Sequence, residues 1–332
     1  MSDNVVHMPP PEGAPAPSPK TYGASIYSNK TPLPSDFVEL ITNLEHELDM
    51  PVWMIIQHGD DEDWDEIGER LYAGFVREKG NIDKGKPAGL LLHSPGGLAE
   101  EAYKIVRLFQ RRDVKITTII PRYAKSAATI MALGGSSIMI GCEAELGPLD
   151  VQIYDLEDGQ YDSALNAVQS LERLNAYALT ALDQAMTLFI ARTRKRPDAL
   201  LPLALQYATS MIGPLVGKID SVALTKKSRD LKVAEDYAVR LMKAAGYSFS
   251  AAKRIAGVLV ERYSTHGFVI DRAEAKSYER VGPTEHFGLG LNVVEPNESV
   301  EDIFDALSPH LEKLTVIGRI KEIGHEQPDR GK

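Results

Sequence analysis

Between residues 89 and 141, apolar runs of strand length alternate with segments of helical spacing. Gly89–His93 is a continuous apolar run, the pattern of a strand buried on both faces. Leu98–Arg112 repeats at helical spacing, with Ala102, Ile105, Val106, Leu108 and Phe109 on its apolar side. Lys115–Pro121 reads as a second strand, the small-residue run from Ala127 as a buried helix, and Ser137–Gly141 as a third strand. Strands alternating with helices over short connections predict an α/β fold, a parallel sheet with right-handed βαβ crossovers. Upstream, Phe37–Leu48 and Trp64–Lys79 have helical spacing and Pro51–Gln57 is strand-like. Downstream, Tyr161–Thr193 is a long Ala- and Leu-rich helical stretch, Pro197 and Pro202 bracket a break, and Val222–Ala245 is helical again. Residues 161–245 therefore read as a helical insertion.

The flanks divide the chain further. Residues 1–34 open on a Pro-rich stretch without aromatic anchors and read as a disordered tail. Residues 35–300 form the main domain, and 301–332 a C-terminal helix with a frayed end. The acidic run Asp60–Asp63 reads as a helix start rather than a calcium loop. The basic cluster Arg192–Arg196 reads as helix end-capping rather than a nucleic-acid contact.

Composition narrows the class. With 332 residues, 43% hydrophobic and 25% charged, the chain can bury a substantial core, and a net charge of −10 argues against a nucleic-acid partner. A lone cysteine, Cys142, excludes an intramolecular disulfide and a Cys-based zinc site, fits a reducing compartment, and reads as a core residue. No segment approaches the ~20 continuous apolar residues of a membrane span, and the N-terminus lacks a secretory pattern. A cytoplasmic location is expected, with no metal and no cofactor.

Two segments carry candidate chemistry. Leu90-Leu91-Leu92-His93 runs into Ser94-Pro95-Gly96-Gly97, where the strand must end and backbone N–H groups can turn outward. Tyr123-Ala124-Lys125-Ser126 places one serine where a turn enters the next helix. Strand-end turns of a parallel sheet face a common cleft. Amides at a Gly-Gly turn and a hydroxyl in the positive potential of a helix start supply an oxyanion site and a nucleophile for acyl transfer.

Taken with Glu145-Leu146-Gly147-Pro148-Leu149-Asp150, these segments resemble the Clp and crotonase superfamily, and within it the serine dehydrogenase proteinases, relatives of the type A signal peptide peptidases. Thr265-His266-Gly267-Phe268 through Ala273-Glu274-Ala275, and Gly290-Leu291-Asn292-Val293, are similar to the closing segment of that family. The resemblance covers about residues 50 to 295. It implies a Clp/crotonase-like core, Ser126 as nucleophile, and Gly96, Gly97 and Ala127 as oxyanion and substrate-binding amides. It also implies a homo-oligomer; the stretch Tyr161–Lys195 reads as its docking surface, because its Ala- and Leu-rich length exceeds what one small domain must cover.

The base is the open position. The histidine that Clp-type proteases carry downstream of the serine has no counterpart in Leu149-Asp150-Val151-Gln152. His266 aligns beside the position of the Clp aspartate and Asp150 beside that of the Clp histidine, so an exchanged triad Ser126–His266–Asp150 is one reading. Lys218, in Gly217-Lys218-Ile219-Asp220, resembles the lysine of the type A signal peptide peptidases and is an alternative base. Lys125 adjoins the serine but is expected to point away from it, and His93 ends its strand near the cleft.

The expected function is a serine peptidase cleaving peptides or unfolded protein segments through a Ser126 acyl-enzyme. A non-catalytic Clp-fold scaffold or regulated partner, and a crotonase-type acyl-CoA enzyme, stand as alternatives.

Overall fold

A computed structural model describes residues 20–58, 64–149, 152–155, 160–263, 265, 267–280 and 286–323. The first half contains β1 (Thr21–Ala24), β2 (Tyr27–Ser28), α1 (Ser35–Leu48), β3 (Val52–Ile56), α2 (Glu69–Glu78), β4 (Ala88–His93), α3 (Ala99–Gln110) and β5 (Ile116–Ile120). Next come β6 (Tyr123–Ala124), α4 (Ala127–Ala132), β7 (Ser137–Ile140), β8 (Glu145–Leu146) and the antiparallel pair β9 (Gln152–Asp155) and β10 (Gln160–Ser163). The insertion is α5 (Ala164–Thr193), α6 (Pro197–Val216) and α7 (Ser221–Ala244), followed by α8 (Phe249–Glu261). The chain continues through β11 (Ile270–Asp271), α9 (Arg272–Lys276), β12 (Glu279–Arg280), β13 (His286–Phe287) and β14 (Val293–Val294). It closes with α10 (Glu298–Leu311), β15 (Val316–Gly318) and β16 (Ile320–Ile323).

Seven strands form the central sheet in the order β14-β7-β5-β4-β3-β15-β2. The five from β14 to β3 are parallel, as the βαβ pattern predicts, and β15 and β2 add an antiparallel edge. Alternation along each strand builds two cores. Trp53, Ile55, Leu90 and Leu92 pack with α2, α3, α4, α7 and α8 on one face. Val52, Met54, Ile56 and Leu91 pack with α1 and α10 on the other. Because the strands are parallel and in register, with Ile56 opposite His93, their carboxyl ends finish side by side.

Several expectations need correction. Residues 21–28 are not part of a tail: β1 pairs with β16 and β2 with β15, so the two ends of the described chain are hydrogen-bonded together. The C-terminal segment likewise supplies a strand of the seven-stranded sheet, between β2 and β3. Trp64–Gly68 does not open α2, because Ile67 is drawn into a parallel bridge with Gly97. The break between Pro197 and Pro202 is α6: Pro197 occupies the first turn, where its missing N–H costs nothing, and Pro202 lies inside the helix. Cys142 is exposed, because it falls in the turn just after β7 rather than on the strand.

The insertion departs from the rest of the surface. No charge falls between Asp198 and Lys218, and α6 is the one helix among the described residues long and apolar enough to cross a membrane by length and composition. The expectation that no stretch nears the length and apolarity of a membrane span is thus corrected at α6, although Gln206, Thr209 and Ser210 interrupt its apolar run.

The first core is anchored by an aromatic trio, Trp53, Phe75 and Phe109, with Phe109 edge-on to Trp53 at 5.6 Å between ring centroids. All three are buried to within 1%. Phe109→Ala is expected to cost about 3–5 kcal/mol in urea denaturation and Phe109→Leu clearly less, because only the first leaves a ring-sized void.

Candidate active site

Two strand ends converge on the site. β4 runs out at His93, and Ser94-Pro95-Gly96-Gly97 turns across the top of the sheet into α3. β5 ends at Ile120, and β6 delivers Lys125 and Ser126 to the start of α4. The two turns are laced together: Ser94 N–H donates to the Tyr123 carbonyl at 3.2 Å and Lys125 N–H to the Ser94 carbonyl at 3.0 Å.

Ser126 has φ 49° and ψ −117°, a left-handed conformation that a side chain seldom adopts. Such strain costs on the order of 1–3 kcal/mol and persists only where the surroundings enforce it, as they do at nucleophile-bearing turns. Here the enforcement is visible. Ala128 N–H bonds the Lys125 carbonyl at 2.9 Å, Ile130 N–H bonds the Ser126 carbonyl at 3.2 Å, and Ala127 is buried in the core. Thr129, wholly buried, ties the turn down: its Oγ1 lies 2.8 Å from the carbonyls of Ala124 and Gly147.

Gly96 lies directly against this turn. A Cβ on Gly96 would fall 2.8 Å from Ser126 Cβ and 2.8 Å from the Lys125 carbonyl oxygen, and its φ is +118°. No other residue fits. Gly97, at φ +136°, is excluded from a side chain in the same way by the Ile67 backbone. Gly96 N–H donates to Ser94 Oγ at 3.1 Å, whereas among the described residues the N–H groups of Gly97 and Ala127 donate to no acceptor. A part-exposed hydroxyl flanked by two such amides is an arrangement that can hold a developing oxyanion.

The other predicted residues divide. His266 and Asp150 lie outside the described residues. Their described neighbours reach the site: the Phe268 carbonyl accepts from Lys125 Nζ at 3.3 Å, and Gly147 N–H donates to the Ala124 carbonyl at 3.0 Å. Lys218 is exposed in the turn between α6 and α7, where Asp220 caps α7 by accepting from Val222 and Ala223 N–H. Roughly 15 Å of helix separates Ser221 from Leu231, the first α7 side chain in the core. Lys125 turns away, as expected, into an ion pair with Glu145 at 2.6 Å.

His93 is more buried than a pocket-lining strand end would be, at 5% exposure, with its ring against Tyr123 at 4.1 Å. Burial, reinforced by the charges of Arg122 and His58, pushes its pKa down to about 4. The ring is therefore neutral at pH 7, and its Nδ1 is buried with no partner among the described residues. Residues with no chemical signature in the sequence also shape the site: Gln57, Ile67 and Thr129 look like ordinary strand, loop and helix positions. Only Ser94 belonged to a conspicuous motif.

Residues 66–185 match the family described as ClpP-like SDH-type serine proteinase. Over that stretch, about a third of its length, the chain is similar to this family. The match contains Gly96, Gly97, Ser126, Ala127 and Asp150, while Lys218 and His266 fall beyond it. Two uncharacterized proteins of Methanocaldococcus jannaschii are similar to parts of the chain. MJ0137 is 36% identical over 93 residues, 28% of this chain and 30% of its own length. MJ1495 is 38% identical over 78 residues, 24% of this chain and 25% of its own. The chain thus spans under a third of the length of either relative. Among solved structures, a membrane-bound stomatin-specific protease with a substrate peptide overlays at a TM-score of 0.28 and 16% identity. That overlay covers 77% of this chain and 98% of the other, and it is too loose to transfer anything about the site.

Two outcomes follow from the geometry. Gly96→Ala is expected to displace the Ser126 turn, visible as altered chemical shifts at Lys125–Ala127 in a chain that still folds. His93 has a folded pKa below its unfolded value of ~6.5, so its contribution is whole above that pH and is lost as pH falls toward 4, up to about 3 kcal/mol. Urea denaturation at pH 7 and pH 4.5 should show this loss in the wild type and a smaller one in His93→Leu.

Proposed function

We propose that the chain is a serine peptidase that cleaves peptides or unfolded protein segments through a Ser126 acyl-enzyme. The observation that carries this reading is the strained Ser126 turn with Gly96 packed against it. A left-handed serine at a helix start, faced by a side-chain-less bend, has an evident use in acyl transfer and none in stability. The family that residues 66–185 match supports it at the level of serine proteinase.

In this reading Ser126 Oγ attacks the scissile carbonyl, and its proton passes to His266, which Asp150 orients. The carbonyl oxygen becomes an oxyanion held by Gly97 and Ala127 N–H. Collapse of the tetrahedral adduct expels the amine, which takes the proton from His266, and water then hydrolyses the ester by the same steps. Lys218, exposed in the turn before α7, is the alternative base.

The insertion supports a homo-oligomer. Eleven large apolar side chains between Tyr177 and Val216 are over a third exposed, among them Leu179 at 58% and Leu203 at 54%. Together they offer an area on the order of the ~800 Å² per partner that a stable interface buries. Further copies of the chain are the proposed cover. Mass photometry should show an assembly that Leu179→Glu with Leu203→Glu shifts toward the monomer; a wild-type monomer contradicts this.

The activity test is labelling by a fluorophosphonate probe. Labelling of the wild type that is lost in Ser126→Ala, and that falls at least about a thousandfold in rate in His266→Ala, is the expected result. An intact wild-type assembly that never labels overturns the peptidase reading in favour of a scaffold, and turnover of an acyl-CoA without labelling favours crotonase-type chemistry. Loss of acylation in Lys218→Ala alone would reassign the base.

A further inference from the structure

The Gly96-Gly97 bend is held by a buried polar chain that no part of the acyl-transfer chemistry uses. Gln57, wholly buried just past the end of β3, donates from Nε2 to the Trp64 carbonyl at 2.8 Å. Its Oε1 accepts from Ser94 Oγ at 2.5 Å, and Ser94, also wholly buried, accepts from Gly96 N–H at 3.1 Å. The directions are forced. A hydroxyl has one proton, so once Ser94 gives it to Gln57 only lone pairs remain for Gly96 N–H. The amide group of Gln57 is itself fixed, since only its Nε2 can donate to the Trp64 carbonyl.

A second tie acts on the next peptide. The Gly96 carbonyl accepts from Ile67 N–H at 2.7 Å, and Leu98 N–H donates to the Ile67 carbonyl at 2.7 Å. In a trans peptide C=O and N–H point in opposite directions. With the Gly96 carbonyl turned to Ile67, the Gly97 N–H must point away from it. Both glycines have positive φ and no side chain to resist rotation, so without these ties the Gly96-Gly97 peptide could flip and present its carbonyl instead.

We propose that Gln57 and Ser94 are positioning residues: by holding the Gly96 N–H they fix the Pro95-Gly96 peptide, and with it the backbone on which Ile67 orients the adjoining Gly96-Gly97 peptide with its N–H toward the reacting oxygen. This rests on the peptidase reading for its catalytic consequence, while the lock itself is a property of the fold. The pair touches no substrate atom. It acts on the difference between ground and transition states, because a misdirected donor loses its bond chiefly to the developing oxyanion.

The test uses the full chain with Ser94→Ala, Ser94→Thr and Gln57→Met. In a fluorogenic peptide assay, Ser94→Ala and Gln57→Met should lower kcat by about 10- to 100-fold with KM within about threefold, and Ser94→Thr should restore most of kcat. The double variant Gln57→Met with Ser94→Ala should be little worse than either alone, since the two act as one chain. Independently of turnover, Gly96 amide hydrogen exchange should quicken at least about tenfold in Ser94→Ala and return toward the wild-type rate in Ser94→Thr. Unchanged Gly96 exchange in Ser94→Ala overturns the lock whatever the activity. Quickened exchange with kcat unchanged overturns its catalytic role. Quickened exchange in a protein whose wild type neither labels nor hydrolyses leaves the lock standing and removes the peptidase reading instead.

Discussion

The structure turns on one close approach, that of Gly96 to the Ser126 turn. A backbone without a side chain sits where any Cβ would collide with Ser126 Cβ at 2.8 Å, and the serine opposite is held at φ 49°. Neither conformation is cheap by itself. Each is sustained by the elements behind it: β4 and β5 in register beneath the turns, Thr129 between β6 and the Gly147 turn, and Ile67 and Ser94 on the glycine side. The strain is local while its support is spread over much of the domain, as rigid close packing requires.

That distribution explains the architecture around the site. The parallel strands must be buried on both faces, so the sheet carries a separate hydrophobic cluster on each side, and the five parallel strands end on the side where the turns can meet. The antiparallel edge formed by β15 and β2 brings the ends of the described chain together and covers β3, the strand from which Gln57 reaches the glycine bend. A terminal element thus contributes indirectly to the rigidity of a bend more than two hundred residues away in sequence. The insertion does the reverse. It takes α5 and α6 off the core and leaves many of their large apolar side chains exposed, although Ala185, Leu200, Ala204 and Ala208 are buried.

Much of this was legible in the order of residues. Apolar runs such as Gly89–His93 cannot be anything but buried strands when followed by Pro-Gly-Gly, and the small-residue run after Ser126 fits only a tightly packed helix. The site was legible as a pair of motifs because both break the local pattern: a strand stopped by two glycines, a helix opened by a polar residue. The strands at 21–28 and 316–323 were not, because each is too short to show a period and gains its identity only by pairing with the other end of the chain. Helix α6 was hidden by its prolines, which local rules read as breaks. Gln57 was invisible for a different reason: a polar residue at a strand end is ordinary until its partners, Trp64 and Ser94, are seen. Cys142 was expected in the core because it follows a buried strand, but the turn that holds it is exposed.

The central claim is that the hydroxyl of Ser126 and the amides of Gly97 and Ala127 address the same atom. The most direct measurement is a crystal structure of the chain after reaction with a peptidyl phosphonate. Phosphorus bonded to Ser126 Oγ, with the phosphoryl oxygen within about 2.7–3.1 Å of both the Gly97 and the Ala127 nitrogen, is the expected result. An adduct on Ser126 whose phosphoryl oxygen is turned to solvent, or an adduct on a different residue, would contradict it.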